Sequence, residues 1–77
     1  MDIFSISCPA GFAGMAGRLM LPVRRLGQVL TYATYRDGGY EFPIHPNESA
    51  AIRSGELVPI FHFDGHAPTG IVLTEAG

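Results

Sequence analysis

The chain has 77 residues, a hydrophobic fraction of 47%, a charged fraction of 16% and a formal net charge of −2. That hydrophobic content excludes a disordered chain, and the length fits a single globular domain, 1–77, with a thin core. There is no lysine, and among Arg18, Arg24, Arg25, Arg36 and Arg53 only Arg24 and Arg25 are adjacent, so no basic track exists for a nucleic-acid backbone.

At the N-terminus, MDIFSISCPAG has an acid at position 2 and no basic run, unlike a secretory signal. Within it DIFSIS alternates, with Ile3 across the pleat from Phe4 and Ile6, and reads as a first strand. The stretch 8–21, CPAGFAGMAGRLML, reads as a helix. Pro9 suits a first helical position with Cys8 or Ser7 as cap, and Phe12, Met15, Ala16 and Leu19 recur at helical spacing until Pro22. Gly11, Gly14 and Gly17 each cost about 1 kcal/mol relative to alanine inside a helix, so a glycine-rich loop is the alternative. They do not make a phosphate loop, because Arg18 and Leu19 follow where a lysine and a hydroxyl residue are needed. Arg18, Pro22 and Arg24 also interrupt the longest apolar run short of a membrane span.

QVLTYATYRDGGYEFPIH, 28–45, is the clearest signal. Asp37-Gly38 is a preferred pair for a two-residue hairpin turn, which sets Arg36 against Gly39, Tyr35 against Tyr40, Ala33 against Phe42 and Thr31 against Ile44 on the core side. Leu30, Tyr32, Thr34, Glu41, Pro43 and His45 fall on the other face. Pro43 has no N–H, so the second strand is expected at an edge or to end early. HPNESAAIRSGE, 45–56, reads as a short helix with Asn47 as N-cap, Glu48 in its first turn and Gly55 as its stop. LVPIFHF, 57–63, reads as a strand apolar on both sides and hence buried on both. DGHAPTG, 64–70, is turn chemistry, and IVLTE, 71–75, a last strand. The expected fold is α+β, a single-layer antiparallel sheet of about five strands with two short helices in the order β-α-β-β-α-β-β.

Three sets of residues carry chemistry. His62, Asp64 and His66 share a face on a continuous strand, and two imidazoles with a carboxylate suit zinc or non-haem iron, with His45 as a further ligand. Asp64-Gly65 is also a turn pair, which breaks the alternation, and the preferred reading gives Asp64 a backbone hydrogen bond and the protein no metal or other cofactor. Cys8 at a helix N-terminus would have a lowered pKa and could serve a thiol enzyme; the alternative is a small buried apolar residue. The lone cysteine leaves no internal disulfide and fits a reducing, cytoplasmic setting. Tyrosine and arginine are enriched in protein interfaces, and Tyr32, Thr34, Glu41 and His45, with Arg36 and Arg53 as anchors, form the candidate partner-binding set. Tyr35 and Tyr40 are expected in ordinary strand packing. The function expected is a non-enzymatic protein–protein interaction module, a regulator, subunit or inhibitor such as a phage or mobile-element anti-defence protein. Its partner would be another protein or a second copy of itself, and neither nucleic acid nor membrane.

Overall fold

The computed structural model describes residues 1–8, 20–65 and 67–76. These form β1 (Asp2–Ser7), β2 (Met20–Arg25), β3 (Gln28–Arg36), β4 (Gly39–Ile44), α1 (Pro46–Ser54), β5 (Leu57–Asp64) and β6 (Ala67–Glu75). All six strands join one sheet in the order β1-β4-β3-β2-β6-β5. Neighbours are antiparallel except β2 and β6, which run parallel through Val23↔Ile71 and Arg24↔Val72. The sheet is curled into a half-barrel, and 69% of the described residues lie in strands.

This overturns the expected α+β sheet of five antiparallel strands with two helices: the sheet is mixed, has a sixth strand, and α1 is the one helix among the described residues. The extra strand is β2. Leu21 and Val23 are buried while Met20 and Arg24 are exposed, a period of two. Pro22 sits inside that strand opposite Tyr32 instead of ending a helix, and the parallel ladder to β6 begins one residue later, at Val23, where an N–H is again present. The rest of the expected first helix, including Gly11, Gly14 and Gly17, lies outside the described residues.

Two tight turns build the middle of the sheet. Asp37 and Gly38 both have positive φ (52° and 82°) and close β3 onto β4 with Arg36 opposite Gly39 and Tyr35 opposite Tyr40. Leu26 and Gly27 repeat that backbone (52° and 80°) between β2 and β3, although leucine is a poor residue for a left-handed position. Pairing of β3 with β4 stops at Thr34↔Glu41, short of Pro43, which has no N–H to give. β4 is nonetheless an inner strand, because β1 pairs along all of it from Asp2↔Ile44 to Ser7↔Gly39. Gly39 has no room for a side chain: a Cβ there would run into the Ile6 carbonyl.

The concave face holds the core. Leu21, Val23, Ala33, Tyr40, Phe42, Ile44, Ile71 and Leu73 form one buried cluster, with Phe4, Ile6, Tyr35, Ile52 and Phe61 packed against it. The Tyr40 and Phe61 rings are 5.9 Å apart although their strands are not neighbours, a contact that needs the curl. Burying these side chains supplies roughly 1.5–3 kcal/mol each. β5 is buried on one side only, against expectation: Leu57 and Phe61 face the core while Val58, Ile60 and His62 are exposed. Ala67–Gly70, expected as turn, already belongs to β6, with a bulge between His62 and Phe63.

α1 packs against β5 and β1. Its N-cap is His45, not Asn47: the His45 Nδ1 accepts the Asn47 N–H at 3.1 Å, and Pro46 opens the helix. Gly55 ends it at φ 87°. Ser49, fully buried, donates to Asp2 Oδ2 at 2.8 Å, and Arg25 Nη1 reaches Glu48 at 3.3 Å.

Candidate functional site: the convex face of the sheet

Side chains directly opposite one another in a sheet share a face. Two adjoining rows therefore run across the convex side. The first carries Tyr32, Pro22, Gly70 and His62, through Tyr32↔Pro22 and His62↔Gly70, with Pro22 packed beside Gly70. The second carries Val29, Arg24, Val72 and Ile60, through Val29↔Arg24, Arg24↔Val72 and Ile60↔Val72. Ile3 opposite Pro43, Met20 opposite Thr34, and Val58 extend this surface to its edges. Tyr32 is 52% exposed and Ile3 60%; Met20, Val29, Val58 and Ile60 are also exposed large apolar residues. α1 lies on the other side, where Ile52 meets the core, and no described element covers the convex face.

Arg24 is the one cation in these two rows, and its guanidinium makes no ion pair among the described residues. A Cβ on Gly70 would lie 3.7 Å from Arg24 Nη1 and 3.8 Å from Pro22 Cγ, which places the guanidinium and the proline ring beside Gly70. The other described arginines are engaged: Arg25 with Glu48 and Glu75, Arg36 with Asp37 and Glu41, and Arg53 with Asp2.

The sequence-derived partner set divides. Tyr32 and Thr34 stand on this face, Thr34 opposite Glu41, and Arg36 Nη1 donates to Glu41 Oε1 at 3.3 Å at its rim. His45 and Arg53 belong elsewhere. His45 caps α1, and Arg53 lies 5.4 Å over the Phe4 ring while bonding Ser49, which fastens α1 to β1. Sequence reasoning missed Arg24, which joins Tyr32 through the antiparallel β2–β3 pairing, and Val72 and Ile60, which join it only through the parallel β2–β6 pairing.

The chemistry candidates are not assembled. Among the described residues no group of three His, Cys, Asp or Glu side chains is placed to hold a metal. His62 and Asp64 are exposed on β5, and His66 lies outside the described residues. Cys8 follows β1, packs against the core and gives its N–H to the Gly38 carbonyl at 3.3 Å. Burial pushes its thiol above the ordinary value of 9.0, opposite to the activation expected at a helix N-terminus. Of two shallow hollows, one of about 210 Å³ is lined by Ser5, Ser7, Arg36 and Glu41 among others, and one of about 380 Å³ by Arg25, Glu56, Leu57 and Glu75. Neither brings a described histidine or cysteine to its wall.

No protein-family model matches the chain, no curated protein matches it in sequence, and no solved structure matches its fold. No helix among the described residues is long and apolar enough to cross a membrane.

Proposed function

We propose that this protein is a non-enzymatic binding module of the cytoplasm that holds another protein against the convex face of its sheet. The observation that carries the reading is the gathering there of Ile3, Met20, Val29, Tyr32, Val58 and Ile60, six exposed large apolar side chains on a face that no described element covers. Contiguous apolar surface of this kind on a small domain marks an interaction site. Tyr32 and Arg24 are the residue types that dominate binding energy when a partner excludes water around them. Arg24, which makes no ion pair among the described residues, calls for a carboxylate on the partner, since covering it without one would strand a charge. The cytoplasmic assignment is supported by the single cysteine, which is free.

The test is affinity capture from the source cell with the intact chain and with Tyr32→Ala and Arg24→Glu. A reproducible partner held by the wild type and lost with both substitutions, while the circular-dichroism melt stays in place, supports the reading. A partner retained by both variants sinks it.

A further inference from the structure

Among the described residues the sheet ends at two edge strands, β1 and β5, and they differ in kind. An edge strand offers unpaired N–H and C=O groups, and folded proteins blunt such edges with proline, positive charge, bulges or a covering helix. β5 has Pro59 and a bulge between His62 and Phe63, while α1 touches both edge strands and does not distinguish them. β1 reads DIFSIS: it has no proline and no positive charge, and its register with β4 is regular over all six residues. Its core-side residues Phe4 and Ile6 stay half-exposed, while Phe42 on the strand beside it is buried. Among the described residues nothing pairs with the far side of β1.

We infer that β1 is the seam of a homodimer in which two copies pair their β1 strands antiparallel about Ser5, extending the two half-barrels into one continuous sheet. This is separate from the convex-face reading and does not rest on it. The occupant is a second copy because the strand is complementary to itself. About Ser5, Phe4 lies opposite the partner's Ile6 on the core side, Ile3 opposite the partner's Ser7 on the outer side, and Ser5 opposite the partner's Ser5. No like charges meet: Asp2 is the only charged residue of the strand, it falls opposite the partner's Cys8, and Ser49 and Arg53 already hold it. Stacking two copies by their convex faces is the poorer arrangement. A two-fold axis there would set Arg24, in one of the two middle strands, near its own copy.

The seam is small, so the dimer is weak and is read by sedimentation equilibrium at about 0.01–1 mM protein. Wild type is expected to dimerise across that range. Ser5→Lys alone and Ser5→Glu alone, each placing like charges opposite one another on an exposed position, are expected to weaken the dimer by about tenfold or more. An equimolar mixture of the two is expected to restore it as a heterodimer, which a mere loss of folding would not do. A wild type that remains monomeric to 1 mM, a dimer indifferent to Ser5→Lys, or one broken instead by Tyr32→Asp would each overturn the inference.

Discussion

The two faces of the half-barrel are made by alternate residues of the same strands, yet they have been given different tasks. Leu21, Val23, Phe42, Ile71 and Leu73 point inward and are almost completely buried, while their immediate neighbours Met20, Pro22, Pro43, Val72 and Thr74 point outward. In an ordinary one-sided sheet the outward set is polar. Here it is largely apolar, with Arg24 at its middle making no ion pair among the described residues. The inner set determines whether the chain folds, and the outer set what the folded chain meets.

The sharpest break in that contrast is Phe42→Ala, which removes a buried ring from beside Phe4 and should cost about 3–5 kcal/mol in urea unfolding. Next comes His45→Ala, on neither face, which takes away the acceptor at the start of α1 and should cost about 1 kcal/mol, with His45→Asn recovering most of it. A smaller effect is expected from alkali. Burial raises the Cys8 thiol above 9.0 and, together with the nearby Cys8 and Tyr35 charges, the Tyr40 phenol above 10.0. Well below pH 9 both groups are neutral in either state, so stability is undiminished there. On the approach to pH 9 and above it the unfolded chain ionises first, and thermal melts should fall progressively as pH climbs through the raised folded values. Cys8→Ala should delay that fall and Tyr40→Phe should flatten its upper part. The smallest effect on stability belongs to the outer face: Tyr32→Ala should stay within about 0.5 kcal/mol of wild type, because the ring leaves water for no contact that folding requires. A large loss there would show the convex face to be part of the core after all.

Much of this was legible where the signal was local. Asp37-Gly38 fixed a hairpin because aspartate and glycine both accept left-handed backbone, and alternation from that turn put Tyr32 and Thr34 on one face and Tyr40 and Phe42 on the other. The turn at Leu26-Gly27 escaped, since its glycine stood beside a leucine that should resist that conformation. β2 escaped with it. A proline inside the run argued for an ending, and only the neighbouring β6, which begins its ladder after Pro22, makes the strand tolerable. The helix at 46–54 was visible, but its cap was misread because histidine is rarely chosen for that role and Asn47 usually is. The candidate site was half legible for the same reason: Tyr32 follows from its own strand, whereas Arg24 sits on the unrecognised β2, and Val72 and Ile60 join it through a pairing between distant stretches of chain.

That pairing joins two pieces that are each internally complete. The described strands before Gly55 form the run β1-β4-β3-β2 with its helix, those after it form one hairpin, and the backbone stitch between them consists of Val23↔Ile71 and Arg24↔Val72. A chain severed at Gly55 would therefore break no hairpin. Each fragment alone would leave its share of the interior wet, Leu21 and Val23 in one and Ile71 and Leu73 in the other, so the halves should find each other when mixed and rebuild the molecule by docking.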